Sequence, residues 1–319
     1  MEESLYSQQS QILLQAFRRW TEAVFSTKPE AVKEIQLPGA RSEWSMAGVF
    51  RDIPEMLDAL AWRGPVIKIK KQRLCNFAVM YDSAGKRARQ SACLMSAYGT
   101  EHGDSMDFYQ YGGHFSNRWV RLGEKWTLED IRFEMDWDFG NTAFAPSWAA
   151  VDYETGWRPS FHPLAVMSEE DSPFRMEDGL LNDYEPERAV SAFYQYAYGM
   201  DNSDFYLLYD SLAPDVVIDM PPFGESMNRR YFLSVIKTIR GAETRFQHAV
   251  DIDSLKIDGE SAVLKANRIE PNRISPYVLS RENFDTVFYT ARYEIELRKT
   301  GERWKIRRLR YRPGIFTKE

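Results

Sequence analysis

The sequence predicts an α+β fold built twice: two domains in tandem, each a mostly antiparallel sheet preceded by N-terminal helices. Three observations predict it. A glycine-led turn opening onto tryptophan occurs near the middle and again near the end, as Gly123-Glu124-Lys125-Trp126 and Gly301-Glu302-Arg303-Trp304. Other features recur at almost the same offset: Trp126 and Trp304, Asp82 and Asp258, and Leu37 and Leu212 lie 178, 176 and 175 positions apart. In each half, amphipathic helices come first and long strands after, the order that marks α+β domains. So small a drift in offset is what duplication with short insertions leaves, and two domain-sized copies are a duplication rather than a solenoid.

The elements follow in the same order in each half. An amphipathic helix leads, over Ile12 to Phe25 and over Glu187 to Met200; in the second, Val190, Phe193, Ala197 and Met200 fall at helical spacing. A short helix and a short strand follow, the latter over Val216 to Met220 in the second half. The next helix covers Ile53 to Trp62 and Arg229 to Ile239. Three long hairpin-joined strands come next, read in the second half as Thr244 to Ile257, Ser261 to Glu270 and Thr286 to Arg298. Trp304 to Tyr311 closes the sheet. The domains are expected over 1–160 and 185–319. Between them, 161–184 carries Glu169, Glu170, Asp171, Glu177 and Asp178 with Pro163 and Pro173, and reads as an exposed linker. Arg307, Arg308, Arg310 and Arg312 make the last strand basic and are expected to pair with this acidic linker or with acidic neighbours.

Composition narrows the function classes. The chain has 319 residues and a net charge of -6, which argues against a nucleic-acid footprint. Its 9 Trp, 17 Tyr and 19 Phe suit aromatic-rich cores or pockets. Cys75 and Cys93 sit in apolar, strand-like stretches and read as buried free thiols in a reducing compartment. No signal peptide, membrane span, phosphate loop or nucleophile elbow is read, so a cytoplasmic protein that engages no membrane is expected. The 4 His are scattered, which argues against a metal site and leaves a pocket that needs no cofactor.

Tyr198-Gly199-Met200-Asp201-Asn202-Ser203-Asp204-Phe205 with Leu212-Ala213-Pro214-Asp215-Val216, and Gln247-His248-Ala249-Val250 ahead of Asp258-Gly259-Glu260, resemble the SnoaL-like branch of the NTF2-like superfamily. In the first half Tyr111-Gly112-Gly113-His114-Phe115-Ser116-Asn117-Arg118, Gly123, Trp126 and Asp136-Trp137 resemble the family's last two strands. The resemblance implies a sheet curved over helices with a pocket at the open end, and domains that associate. It fixes no single function, because such folds host dehydratases, isomerases, cyclases, hydrolases and binding domains.

Relatives of the scytalone dehydratase type pair a helix-one Asp with a His of the first long strand; carried over by motif these are Asp201 and His248. The chemistry is sound in its own right, since His takes and returns a proton near neutral pH and a carboxylate orients the ring. The chain departs from that pattern where Met200 and Met220 replace tyrosines and Asn272 replaces a second histidine. Thr290 and Arg292 fall near a serine and an asparagine of the relative, and an Arg in the pocket favours an acidic group on the ligand. Tyr198, Met220, Phe223, Asn272, Thr290 and Arg292 complete the candidate ligand-binding set of this half. Alternation along Thr244 to Ile252 puts His248 on a face with Phe246, Val250 and Ile252, where it also reads as a core histidine. Asp201 to Asp204 also reads as a helix end followed by a new N-cap.

The first half has Gln72 at the position of His248 and Ser26 near that of Asp201, so it reads as degenerate. His114, Tyr109 and Trp44 are its candidate ligand-binding residues. The two halves are expected to form an intramolecular pseudo-dimer, compatible with further homo-oligomerisation. The function expected is a cofactor-independent lyase (dehydratase) or isomerase acting by acid–base chemistry on a small aromatic, polyketide-like or steroid-like compound. A non-catalytic small-molecule-binding or scaffold protein is the alternative, and a subunit supporting a separate catalytic chain is a third reading.

Overall fold

Helix α1 (Gln8–Phe25) puts Leu13, Leu14, Phe17, Trp20 and Val24 on one face, and all are buried. That spacing is the apolar stripe of an amphipathic helix, and the sheet of the N-terminal half receives it. Phe17 meets Phe115 edge-on at 5.1 Å, and Trp20 stacks on Trp44 at 6.2 Å. This is the computed structural model of the chain, and it describes residues 5–103, 105–149, 151–152, 156–157, 169–176, 179, 182–222, 224–240, 247–269 and 286–318.

The chain divides into two units. Gln8–Leu181 fall in one, and Met1–Ser7 with Asn182–Asn272 and Thr286–Glu319 fall in the other. In the N-terminal unit α1 is followed by α2 (Pro29–Lys33), β1 (Gln36–Trp44), β2 (Gly48–Phe50), α3 (Ile53–Leu60), β3 (Ile69–Tyr81), β4 (Arg87–His102), β5 (Ser105–Leu122) and β6 (Lys125–Gly140). A two-stranded hairpin, β7 (Val151–Asp152) and β8 (Gly156–Trp157), comes after them. Asp52 caps α3 by accepting the Glu55 N–H at 3.0 Å, and Pro54 stands in its first turn.

The C-terminal unit runs α4 (Glu185–Asp201), α5 (Phe205–Ser211), β9 (Leu212–Met220), β10 (Gly224–Met227), α6 (Arg229–Arg240), β11 (Val250–Asp258), β12 (Ser261–Ile269), β13 (Phe288–Thr300) and β14 (Arg303–Thr317). Both units build a six-stranded sheet of the same order, β2-β1-β6-β5-β4-β3 and β10-β9-β14-β13-β12-β11. In each, one parallel pairing, β1 with β6 and β9 with β14, joins an otherwise antiparallel ladder. The fold is thus α+β in tandem. Gly123 and Gly301, which open the matching Trp-bearing strands, share a left-handed backbone with φ of 62° and 60°.

Trp304 also ties its sheet to the start of its helix. The indole Nε1 donates to Glu185 Oε2 at 2.8 Å, and Lys299 Nζ lies 2.6 Å from Oε1. Along β13 and β12, Ile295, Leu297, Leu264 and Ala266 are buried on the helix side, where Phe193 of α4 meets Tyr293 at 5.3 Å. No helix among the described residues is long and apolar enough to cross a membrane.

Two expectations change and one is narrowed. The stretch 161–184 is not uniformly exposed: Asp171, Ser172 and Pro173 are buried, and Asp171 receives Arg132 at 2.8 Å and Arg118 at 3.3 Å. Two arginines of the N-terminal sheet thus draw this acidic residue onto its surface. Of the two partners expected for the C-terminal arginines, acidic neighbours in their own sheet take the role: register sets Arg310 across from Glu294, 2.7 Å away, and Arg312, two residues beyond Arg310, reaches Asp219 diagonally. Finally, the first long strand of the second half begins at Val250, and His248 stands in the segment leading into it.

Candidate active site

Helix α4 ends at Asp201. A helix C-terminus carries partial negative charge, so a carboxylate there needs strong donors nearby. His248 supplies two. Its backbone N–H donates to Asp201 Oδ2 at 2.8 Å and Oδ1 at 3.0 Å, and its ring Nδ1 lies 2.5 Å from Oδ1. Both side chains are nearly sealed from solvent, 9% and 4% exposed.

The helix end reads both ways at once. Asp201 closes α4, while Asp204 caps α5 by accepting the N–H groups of Tyr206 and Leu207, both at 3.1 Å. The dyad and the cap are separate residues, so neither displaces the other.

Two residues that sequence reasoning passed over stand with the dyad. Arg268 is buried on the helix-facing side of β12 and donates through Nη2 to Gln247 O at 3.2 Å. It thereby braces the segment that carries His248. Tyr293 is buried across from Ala266. Burial pushes its phenol well above the usual tyrosine range; Arg268 opposes this, while Tyr196, Tyr311 and Asp201 add to it. Arg268 could have been found by alternation, as the one charge at the inward positions Ala262, Leu264, Ala266 and Arg268.

The remaining candidates of this half scatter. Tyr198 is buried on α4, three residues before Asp201, and Met200 is buried beside it. Met220 is half-buried at the end of β9. Thr290 sits where β13 breaks register between Tyr289 and Ala291, and its hydroxyl is buried without a hydrogen-bond partner. That break moves Tyr289 onto the face of Ile269, so strict alternation, with Tyr289 beside Ala291, does not hold. Arg292 lies across from Asn267 on the outer face, stacked over Phe316 at 4.1 Å, so it is not brought to the dyad. Phe223 and Asn272 lie outside the described residues.

In the N-terminal unit the equivalent corner holds other chemistry. Lys70 Nζ donates to Phe25 O at 2.8 Å and reaches Ser26 Oγ at 3.4 Å, so Ser26, which falls near the position matched to Asp201, meets an ammonium instead of an imidazole. Burial lowers the pKa of Lys70, against the pull of Glu22. Gln72 donates to the Tyr98 phenol at 3.0 Å. Tyr109 bonds Asp138 Oδ2 at 2.9 Å on the helix side, and Trp44 is buried among Trp20, Phe25, Phe115 and Phe133. His114 alternates with Phe115 and so faces away from both: the structure does not unite His114, Tyr109 and Trp44. Instead His114 Nδ1 lies 3.0 Å from both oxygens of Asp136, and both residues are buried. That second dyad was missed because Asp136 sits in a bulge, between Met135 and Trp137, that pairs with no single residue of β5.

Residues 186–310 match the profile of the SnoaL-like domain. Among solved structures, the Kfla4162 protein from Kribbella flavida is 15% identical with a TM-score of 0.35, over 42% of this chain and 95% of that one. A protein of Novosphingobium aromaticivorans provisionally described as a scytalone dehydratase is 8% identical with a TM-score of 0.34, over 41% of this chain and 86% of that one. A Streptomyces avermitilis protein, provisionally described as a dehydratase of the NTF2-like family, is 16% identical with a TM-score of 0.33, over 42% and 99%. No curated protein matches the chain.

Proposed function

We propose that the C-terminal unit is a cofactor-independent lyase of dehydratase type, or an isomerase, acting on a small aromatic, polyketide-like or steroid-like compound. One observation carries this reading: a buried imidazole held by a buried carboxylate at both its ring and its backbone. Such a pair suits removal of an acidic C–H proton by Nε2, while Asp201 stabilises the imidazolium that forms. The same nitrogen then returns the proton, to a departing hydroxyl in elimination or to another carbon in isomerisation. Arg268 would offset the negative charge that develops on the substrate oxygen, and Tyr293, held in its phenol form, would donate to it. No step calls for a metal or an organic cofactor. The ligand-facing surface would be largely apolar, consistent with Tyr198 and Met220 as contacts.

A thermal-shift screen of aromatic and polyketide-like acids tests it, on wild type and His248→Ala, with hits followed for turnover and for deuterium uptake at carbon. Ligands that exchange or react with wild type and not with the variant support the proposal. Hits that bind both proteins equally and never exchange would replace it with the binding-protein reading.

A further inference from the structure

The second buried dyad does not face the helix side of its sheet, and the reading above leaves it unused. It does have neighbours of matching chemistry. Along one line across the N-terminal sheet, Cys75 of β3 pairs directly with Cys93 of β4, and Cys93 pairs directly with His114 of β5. His114 in turn bonds Asp136 of β6 through Nδ1. Direct cross-strand partners always share a face, with Cβ atoms about 4.5–5.5 Å apart. Neither cysteine is in a disulfide and each is 5% exposed, and His114 and Asp136 are buried as well. A thiol, a second thiol, an imidazole and a carboxylate therefore stand in sequence on one surface, with Cys93 between its partner thiol and the base.

The Cα separation of such a pair falls within the range that an S–S bond spans, and the Cβ atoms need to draw only slightly closer for the bond to form. The register also breaks just past Cys75, where Asn76 adopts a left-handed φ of 52°, so the ladder does not clamp the backbone on that side. Charge favours Cys93 as the attacking sulfur. Asp136 orients the His114 ring and stabilises its protonated form, and an imidazolium beside a thiol favours the thiolate. Burial alone would leave an inert thiol, so the dyad is what makes this cysteine pair differ from two core residues.

We propose that Cys75 and Cys93 form a dithiol that a hydroperoxide converts to an intramolecular disulfide, with His114 as the base and Asp136 as the residue that positions it. His114 takes the Cys93 proton, and the thiolate attacks the terminal peroxide oxygen. The S–O bond forms as the O–O bond breaks, and the leaving oxygen departs as water or an alcohol with that proton. The Cys75 sulfur then attacks the Cys93 sulfur, the S–O bond breaks, and water leaves with the Cys75 proton. The two thiols are oxidised by two electrons and the hydroperoxide is reduced by two.

The test treats the full chain with near-stoichiometric hydrogen peroxide, then denatures and alkylates it for intact-mass analysis. The expected product is a monomer lacking two hydrogens, with both cysteines blocked to alkylation until a reductant is added. Cys75→Ser should stop at a sulfenic acid on Cys93 that a dimedone probe captures. His114→Gln and Asp136→Asn, each checked for a native circular dichroism spectrum, should slow the reaction by at least about tenfold. Three results would overturn the proposal: two alkylatable thiols after peroxide, a disulfide formed only between chains, or equal rates in wild type and in a folded His114 or Asp136 variant.

Discussion

Asp201 holds His248 at two points, accepting the backbone N–H at 2.8 Å and facing the ring Nδ1 at 2.5 Å. A carboxylate that grips only a ring tunes it; one that also grips the backbone fixes where the ring stands. The same residue thus closes helix α4 and places the imidazole, so structural and chemical roles coincide in one side chain.

That coincidence predicts paired effects. Asp201→Ala strands two buried donors and should lower stability by about 1–3 kcal/mol, measured by urea denaturation followed by fluorescence. His248→Ala keeps the backbone bond and should cost less stability than Asp201→Ala. If a turnover assay emerges from the ligand screen, His248→Ala should reduce kcat/KM by about 10²–10⁴-fold.

Stability should fall on acidification through Glu185. The Lys299 ammonium, first, and the Trp304 indole hold its carboxyl below the usual glutamate range, with burial acting the other way. A group whose folded pKa is depressed contributes above its unfolded pKa of about 4.3, and that contribution disappears as pH falls through the folded value. Denaturation midpoints for wild type should therefore drop more steeply between neutral pH and roughly pH 3 than those of Glu185→Gln.

Tyr98, Tyr111 and Tyr293 should resist ionisation in the folded chain. Burial drives each phenol upward; Tyr98 adds to the shift of Tyr111, and Arg268 tempers that of Tyr293. An alkaline titration followed at the phenolate absorption band should show these tyrosines ionising only as the fold is lost. Full titration of all 17 Tyr while circular dichroism stays native would contradict it.

Gly113→Ala should disrupt the N-terminal sheet. A Cβ there would collide with the Glu134 carbonyl and the Phe133 ring, and a backbone atom cannot swing aside as a side-chain tip can. A loss of about 1–3 kcal/mol is expected, read from the denaturation midpoint.

Much of the fold was legible because repeated local signals carry it. The Gly-to-Trp strand opening and the helix-then-strand order each appear in both halves, and the two sheets share one strand order. The His248–Asp201 pair was legible because each member sits in a motif of its own. What escaped depends on register, which periodicity does not encode. Thr290 and Asp136 each occupy an irregularity that shifts the strand by one residue, so alternation counted through Thr290 puts Tyr289 on the wrong face, and alternation gives no sign of the His114–Asp136 bond. Asp171 was read by the composition around it, whereas two arginines distant in sequence decide its place.

The opening residues carry a last consequence. Leu5 and Tyr6 are buried, the Tyr6 hydroxyl lies 3.5 Å from that of Tyr194, and the Ser7 N–H donates to Glu187 at 2.8 Å. Ser7 thus helps to complete a helix whose Glu187 lies 180 positions further along the sequence. A fragment beginning at residue 182 would leave Glu187 and Tyr194 without their covering, and trimming the first seven residues should loosen the C-terminal unit rather than the one that follows them in sequence.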